Sequence, residues 1–583
     1  MRAQFAWRAR LVWGFMALVG IAIIVQILRI QLSEEAATFK QLSDQNATEL
    51  RTYYPERGQI FDRDGHLLAG SRTVYEIGVD LASVRDAEAF ALIAAAQLDL
   101  DYGDLLAALT NPPEDLRYFV LADYVDPTRA AALQQFRLHL QEQATAGQTD
   151  PLYGLQFKPH PRRSYPEAAL ASSILGFVSR EERGYFGVEE KYDTLLAGMP
   201  VTVVVPTDPN QAYEIPELPQ GTALVLTISR DLQASAEQIL DSALDKYGAD
   251  HGTIAVMDPR NGEILALAST PRMDLNQFWN YGAIFQNASE FNRAISMPYE
   301  PGSVFKIFTM AAALESGAVV PSTPFLDTGQ ILVGGATIRN WNGEAWGVQD
   351  MTGCLQHSLN VCLAWVSKET GAQAFYGYMD NFGLGRLTGI DLAGEAAGRL
   401  KVPGDTDWYP VDLGTNAFGQ GVAVTPVQML MAASSIANGG RAVTPHVVHA
   451  LVRDGHQYNV PAQYAGAPIS AETANTLTEM LSISLQNESS LALVPGYRIA
   501  GKTGTAQVPT PYGVYDTSAT NASFIGWGPV DDPQFMIYVW LERPTLSIWG
   551  SETAAPTFAR LAEKTVLLMD IPPDSVRLEL AAR

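Results

Sequence analysis

Three short motifs, far apart in the chain, supply the side chains of an acyl-transfer site. They are Ser303-Val304-Phe305-Lys306, Ser358-Leu359-Asn360 and Lys502-Thr503-Gly504-Thr505, in that order. Groups spread so widely can act together only if folding brings them into one cleft. The sequence therefore predicts a large domain that closes around these segments.

The first motif pairs a serine with a lysine on one helical face, because residues at i and i+3 are neighbours on a helix. An amine accepts the serine proton only when it is neutral, which requires burial or a nearby cation to lower its pKa from roughly 10.4. Lys502 is a candidate for that cation. Pro301-Gly302 suits a helix start, where free backbone N–H groups stabilise an oxyanion.

Two simpler interpretations compete with this site. A Ser-x-x-Lys pair is common by chance, and alone it indicates a helix N-terminus with a solvated lysine. Gly496 to Thr503 also matches a nucleotide-binding P-loop, which leads directly into a helix. The bulky residues 497–499, together with Pro509 and Pro511, oppose both the flexible loop and the helix. The ordered trio favours acyl transfer over an ATPase.

The sequence resembles the class B penicillin-binding proteins over most of its length. The similarity includes the three motifs and further segments in both halves, which are Arg57 to Gly65, Gly184 to Glu189, Asn292 to Ser303, Phe418 to Gln428 and Ser523 to Trp527. The resemblance implies an α+β multidomain chain. Its parts are an N-terminal membrane helix, an extended non-catalytic pedestal or dimerisation module, and a transpeptidase domain similar to serine β-lactamases, with an antiparallel sheet and helices on its faces.

By this resemblance Ser303 is the nucleophile and Lys306 its general base. Ser358 relays a proton toward the leaving amine, and Asn360 orients Lys306 and the substrate amide. Lys502 supplies positive charge.

The resemblance also implies the substrate contacts. Thr503 and Thr505 bind the terminal carboxylate, Gly504 keeps the strand close to the substrate, and the N–H groups of Ser303 and Thr505 form the oxyanion hole. The reaction is attack on a D-alanyl-D-alanine bond, release of D-alanine, and acyl transfer to an amine of a neighbouring peptidoglycan stem peptide. β-Lactams trap Ser303, and no cofactor is required. A glycan polymerase of the SEDS family is the implied protein partner.

Composition agrees with a multidomain globular protein. The chain has 583 residues, 47% of them hydrophobic, which is ample for large cores. A net charge of −24 opposes nucleic-acid binding.

The predicted regions are a cytoplasmic N-terminus (1–10), a transmembrane helix (11–31), a pedestal with a Pro-rich linker near Val201 to Gly221 (32–220), the transpeptidase domain (221–571) and an expendable tail (572–583).

The N-terminus predicts a retained membrane anchor. Leu11 to Leu28 is apolar except for Gln26 and follows Arg2, Arg8 and Arg10. This length spans a bilayer, and the basic residues ahead of it place the N-terminus in the cytoplasm and the catalytic domain outside. A cleaved signal peptide is the alternative, but no Ala-x-Ala-like site follows the apolar stretch.

The chain has two cysteines, Cys354 and Cys362, on either side of the Ser358 motif. On one continuous helix they would lie about 12 Å apart, too far for a disulfide. A helix break at Ser358, as in the family, makes a bridge possible, but two packed thiols are the expectation.

His446 and His449 fall in a strand-like segment and would face opposite sides, so no metal site is predicted.

Three related activities stay open within the acyl-serine class. They are a transpeptidase, a β-lactamase or D,D-carboxypeptidase that passes the acyl group to water, and a β-lactam sensor. The anchor and the large N-terminal module favour the transpeptidase. A deacylating Glu-x-x-Leu-Asn segment and a resemblance to a glycan-polymerising domain are both absent from the sequence. A membrane-anchored scaffold is the remaining alternative, and the intact trio opposes it.

Overall fold

The structure is a computed structural model that describes residues 2–31, 48–113, 116–143, 150–206, 218–488, 490–509 and 515–582. The elements of its first half are, in chain order, α1 (Arg2–Gln31), β1 (Thr48–Tyr53), β2 (Ile60–Phe61), β3 (Leu67–Asp80), α2 (Ala87–Leu98), α3 (Tyr102–Thr110), β4 (Tyr118–Val125), α4 (Pro127–Gln143), β5 (Leu155–Ser164), α5 (Ser172–Leu175), β6 (Phe177–Val178), β7 (Gly184–Tyr185), α6 (Gly187–Lys191), α7 (Asp193–Ala197) and β8 (Val201–Pro206).

The second half begins with the strand that follows residue 222. Its elements are β9 (Ala223–Leu226), α8 (Arg230–Tyr247), β10 (His251–Met257), β11 (Ile264–Ser269), α9 (Tyr281–Ile284), α10 (Arg293–Ser296), α11 (Lys306–Glu315), β12 (Phe325–Asp327), β13 (Gln330–Val333), β14 (Ala336–Arg339), β15 (Gly347–Gln349), α12 (Met351–Gln356), α13 (Asn360–Thr370), α14 (Ala372–Asn381), β16 (Arg399–Leu400), α15 (Asp412–Asn416), β17 (Val422–Ala423), α16 (Pro426–Ala437), β18 (Ala442–Val443), β19 (Val448–Arg453), β20 (His456–Asn459), β21 (Tyr464–Gly466), α17 (Ala471–Glu488), β22 (Ala500–Pro509), β23 (Tyr515–Gly528), β24 (Phe535–Glu542), α18 (Ala554–Leu568) and α19 (Asp574–Ala581).

The described chain separates into two compact units. The smaller unit contains α1 and the antiparallel pair of β1 and β8, in which Thr52 lies opposite Thr202. Helix α1 has a 20-residue apolar window, Arg10–Arg29, whose side chains are not buried within the protein. The predicted linker near Val201 to Gly221 therefore begins as a strand, and its residues 207–217 lie outside the described part of the chain.

In the larger unit, a five-stranded antiparallel sheet has the order β11-β10-β24-β23-β22. Strand β24 is buried nearly throughout, as expected for a central strand covered on both faces. Helices α8 and α18 pack on one face, and α11, α16 and α17 contribute to the core on the other. A turn at Asp258 to Gly262, favoured by its Asp-Pro-Arg-Asn-Gly sequence, joins β10 to β11. The expected antiparallel sheet with helices on its faces is confirmed.

The first module and the catalytic domain share a second sheet, ordered β20-β19-β9-β2-β3-β4, with β5 also paired to β3. Strand β2 pairs in parallel with β9, so strands from both sides of residue 220 lie side by side. Helices α2, α3 and α4 cover β3 and β4 with a separate apolar core. The two predicted regions are therefore joined by backbone hydrogen bonds.

The two N-terminal segments that carry the resemblance meet in a buried ion cluster. The carboxylate of Glu189 accepts hydrogen bonds from Arg57 Nε at 2.7 Å and Arg163 Nε at 2.6 Å. All three side chains are almost completely buried. Arg163 also donates to the Gly58 carbonyl. This cluster fixes α6 against β2 and β5.

We expect Glu189→Gln to lower the free energy of unfolding by about 3–5 kcal/mol, because it removes the buried negative charge that pairs with both guanidinium groups, although Arg57 keeps its ion pair with Asp193. Chemical denaturation of the full-length protein in detergent measures the change. The matched control is Glu190→Gln, which alters the exposed neighbouring carboxylate. Equal stability of the two variants would contradict the prediction.

The segment expected to be an expendable tail is a packed helix. The backbone N–H of Arg498 donates to the Asp574 carboxylate at 2.7 Å, and Arg577 pairs with Asp531. These contacts hold α19 against the segment that leads into β22. The predicted tail therefore packs on the domain surface through its polar side chains, and its expendability stays a prediction.

Candidate active site

The nucleophile segment is a tight turn at the start of α11. Residues Gly302–Phe305 form a 3₁₀ turn that continues into the helix at Lys306. Gly302 has φ +58°, and a Cβ there would lie 2.8 Å from the Thr505 carbonyl oxygen. Glycine is required for two reasons: a side chain disfavours this positive φ, and it would lie too close to the Thr505 carbonyl oxygen. The turn thereby places Ser303 directly beside β22.

Lys306 is completely buried behind the serine turn. Its Nζ donates to the Ser358 carbonyl at 2.6 Å, to Ser358 Oγ at 3.1 Å and to Asn360 Oδ1 at 2.8 Å. Burial and, second, the positive charge of Lys502 lower the pKa of the Lys306 ammonium well below its ordinary value. The shift favours the neutral amine, as a base requires.

The second motif occupies a break between two helices. Helix α12 ends at Gln356, α13 begins at Asn360, and Ser358 between them has φ +52°. This left-handed conformation is unfavourable for serine and persists only where surrounding contacts hold it. Here the Ser358 N–H donates to the Leu355 carbonyl, while Lys306 holds the Ser358 carbonyl from the other side. The break directs Ser358 and Asn360 toward the same amine.

A disulfide between Cys354 and Cys362 closes this break. The expectation of two packed thiols, which followed from the usual state of buried cysteines, is wrong. The reversal at Ser358 brings the two Cα atoms to 6.0 Å, within the range that a disulfide bridges. The bond ties α12 to α13 across Ser358.

The third motif lies on β22, the strand at the edge of the sheet. Lys502 Nζ donates to Ser358 Oγ at 3.1 Å, so this hydroxyl lies between the two lysines. Thr505 Oγ1 accepts from the Gly550 N–H at 3.0 Å. A Cβ at Gly504 would lie 2.4 Å from Ser523 Oγ and 3.0 Å from the Pro301 carbonyl oxygen. Gly504 therefore allows the nucleophile segment to pack on the strand.

These elements enclose a cleft of about 300 Å³. Six of the eight predicted site residues line it, namely Ser303, Ser358, Asn360, Lys502, Thr503 and Thr505. Lys306 lies behind the wall and reaches the cleft through its hydrogen bonds to Ser358 and Asn360, and Gly504 lies within β22 against the nucleophile segment. The P-loop interpretation is wrong, because Lys502 and Thr503 lie within β22 and no helix follows them directly.

Sequence reasoning missed several other side chains of the cleft. The largest are Trp341 and Trp549, whose rings are 5.1 Å apart in an edge-to-face arrangement. Glu552 and Gln420 also line the cleft. The tryptophans and Glu552 lie on loops without a recognisable motif or period. Their position in the sequence is the only signal that could have indicated them: Trp341 precedes the Ser358 motif, and Trp549 and Glu552 follow β24.

An antiparallel sheet flanked by helices, with a helix-terminal serine and two lysines at one cleft, defines a class of serine acyltransferases. The chain belongs to the penicillin-binding protein family. Residues 252–563 match the model of the penicillin-binding protein transpeptidase domain, and residues 52–213 match that of the penicillin-binding protein dimerisation domain.

Individual relatives agree with this assignment. The chain is 32% identical to stage V sporulation protein D of Bacillus subtilis, over 90% of this chain and 80% of that one. It is 27% identical to the peptidoglycan D,D-transpeptidase FtsI of Escherichia coli K12, over 98% of this chain and 93% of that one. A crystal structure of penicillin-binding protein 3 from Mycobacterium tuberculosis with aztreonam aligns with a TM-score of 0.68 and 26% identity, covering 90% of this chain and 98% of that one.

These matches confirm three of the predictions made from the sequence. The chain is a class B penicillin-binding protein, it has a dimerisation module and a transpeptidase domain, and it is an enzyme of the peptidoglycan D,D-transpeptidase type. The role of each site residue stays a prediction.

Proposed function

We propose that this chain cross-links peptidoglycan stem peptides through an acyl-enzyme on Ser303. Ser303 Oγ attacks the carbonyl of the D-alanyl-D-alanine bond, and the terminal D-alanine leaves. An amine of a neighbouring stem peptide then attacks the ester and releases the serine. The observation that carries the proposal is the buried Lys306, which joins the nucleophile's helix to Ser358 and Asn360 through three hydrogen bonds.

Lys306 acts as the general base in this proposal, because burial and a neighbouring cation both favour its neutral form. Ser358 relays the proton to the leaving amine, and its position 3.1 Å from each lysine supports that role. Asn360 orients Lys306 and contacts the substrate amide. Its own side chain is held by donation to the Arg339 carbonyl.

The third motif binds the donor's carboxyl end. Lys502 provides positive charge, Thr503 and Thr505 hydrogen-bond the carboxylate, and the N–H groups of Ser303 and Thr505 form the oxyanion hole. Support comes from the close packing of the serine turn on β22. β-Lactams imitate the donor dipeptide and are expected to acylate Ser303; penicillin-binding protein 3 from Mycobacterium tuberculosis has been crystallised in complex with aztreonam and with ampicillin.

We also propose the predicted domain organisation and a single-pass location in the cytoplasmic membrane. Helix α1 is about 45 Å long at ~1.5 Å per residue, enough to cross the ~30 Å apolar layer. Its apolar window and the arginines ahead of it favour a cytoplasmic N-terminus and an extracytoplasmic catalytic domain. Contacts with membrane lipid and with a SEDS-family glycan polymerase complete the proposal. The polymerase is implied by the family resemblance.

The test is a cross-linking reaction with the full-length protein in detergent. The donor is Nα,Nε-diacetyl-lysyl-D-alanyl-D-alanine, the acceptor is Nα-acetyl-lysinamide, and mass spectrometry separates the cross-linked product from the hydrolysed donor. We expect both D-alanine release and the cross-linked product. Hydrolysis alone would indicate a carboxypeptidase. A persistent benzylpenicillin adduct without turnover would indicate a sensor, and neither activity would favour the scaffold.

A further inference from the structure

Two tryptophans from opposite walls meet over the cleft that contains Ser303. Trp341 lies on the loop after β14, Trp549 lies on the loop after β24, and their ring centroids are 5.1 Å apart. The side chain of Trp341 is 52% exposed, although nothing in its sequence surroundings requires a large apolar group at the surface. Trp549 is half-buried, and an aromatic pair with one exposed ring beside a nucleophile is typical of a ligand contact.

The first wall is attached to the second catalytic motif. Asn340, which precedes Trp341, accepts a hydrogen bond from the Val361 N–H, and Trp341 Nε1 donates to the His357 carbonyl at 3.4 Å. The Arg339 carbonyl accepts from Asn360. The indole is thus held at a set distance from Ser358 and Asn360.

The second wall is attached to the third motif. The Gly550 N–H, next to Trp549, donates to Thr505 Oγ1, and a Cβ at Gly550 would lie 2.2 Å from the Gly504 carbonyl oxygen. Thr520 Oγ1 donates to the Ile548 carbonyl and fixes the loop on β23. Both rings are therefore positioned by the segments that carry the chemistry.

Charge is distributed unequally along the cleft. Among the described residues that line it, Glu552 is the only acidic one, and it lies in the same loop as Trp549. One of its carboxylate oxygens, Oε2, accepts a hydrogen bond from the Ser547 hydroxyl at 2.6 Å. The partner of this oxygen is therefore a hydroxyl group and not a cation. Lys502 lies at the catalytic strand. The cleft therefore has a basic part suited to a carboxylate and an acidic, aromatic part suited to a cation.

We propose that Trp341, Trp549 and Glu552, here called the acceptor rim, bind the ammonium group of the acyl acceptor. The inference rests on the proposed function and specifies its second substrate. A primary amine with a pKa of roughly 10.4 arrives protonated. Indole faces attract such cations, and a carboxylate adds charge complementarity. Lys502 repels the same group, which directs the two substrates to different parts of one cleft.

The rim acts before the second chemical step. The bound ammonium loses one proton to solvent, and the neutral nitrogen attacks the acyl carbon of the Ser303 ester. The new C–N bond replaces the C–O bond, and the nitrogen's second proton ends on Ser303 Oγ. Without the rim, water competes more effectively for the same acyl-enzyme.

The experiment measures the ratio of cross-linked to hydrolysed product in the same donor and acceptor reaction. Both products come from one acyl-enzyme, so the ratio cancels changes in acylation. We expect Glu552→Gln and Trp341→Ala each to lower the ratio about tenfold, with a higher KM for the acceptor. Added salt should lower the wild-type ratio but not that of Glu552→Gln, because salt screens the attraction that the exposed carboxylate provides. Glu563→Gln and Trp279→Ala, which alter exposed residues outside the cleft lining, are the matched controls.

Two results would overturn the inference in different ways. A wild-type ratio in both rim variants, with normal cross-linking by the wild type, would exclude the rim and leave the proposed function intact. A wild-type protein that only hydrolyses the donor would exclude the acyl acceptor itself, and with it both proposals.

Discussion

Replacing Ser303 with alanine is expected to abolish the covalent adduct with benzylpenicillin. The alanine variant lacks the only oxygen that the proposal assigns to the ester, and the buried Lys306 does not reach the antibiotic in its place. Intact-mass spectrometry of the full-length protein in detergent measures the adduct. Loss should be complete, because no slower route to the same ester exists.

Ser316→Ala is the matched control for that result. Ser316 follows the last residue of α11, and its hydroxyl donates to the Ala313 carbonyl. It should keep the wild-type adduct. A full adduct on Ser303→Ala, mapped by peptide analysis to another residue, would show that the nucleophile has been assigned wrongly.

Replacing Lys306 with methionine is expected to slow acylation about 10²–10⁴-fold, the usual contribution of a general base. Methionine approximates the volume of lysine without its amine, so the buried site stays filled. The rate of benzylpenicillin acylation measures the effect. Lys368→Met, on the exposed face of α13, is the control. An unchanged rate in folded Lys306→Met would require a different base.

The pH dependence provides a second test of the same role. The pKa of Lys306 is lowered by burial and by Lys502, and only the neutral amine accepts a proton. In the wild type, acylation should therefore rise with pH and level off well below the ordinary lysine pKa. Lys502→Gln removes a charge that opposes protonation of Lys306. The rise should then move to higher pH, and a shift in the opposite direction would contradict the assignment.

Regular patterns in the sequence predicted much of the catalytic fold. Strands β10, β11 and β24 are apolar runs, because helices cover both faces of the sheet that they form. The sequence of helix α8 has helix signals from Asp231 to Tyr247, and the helix ends at Gly248, whose left-handed backbone closes the last turn. Such signals are local, so a sequence shows them directly.

The parts that were not predicted depend on contacts between distant segments. The disulfide requires the left-handed turn at Ser358, which Lys306 helps to hold from another helix. The packing of α19 requires Asp531 and the Arg498 backbone. Trp341 and Trp549 are separated by more than half the catalytic domain and meet only because two motifs anchor their loops. The site motifs themselves were recognised from their residue types and order, and the family resemblance supplied the role of each residue.

The Cys354–Cys362 bond also distinguishes exported molecules from molecules that stay in the cytosol. It joins the chain's only two cysteines, and disulfides persist in oxidising compartments while the bacterial cytosol keeps thiols reduced. In the proposed topology, a molecule held back inside the cell carries two thiols around Ser358, and an exported molecule carries none. The redox state of this one pair therefore records translocation, and the catalytic turn acquires its covalent closure only on the side of the membrane where its substrate is found.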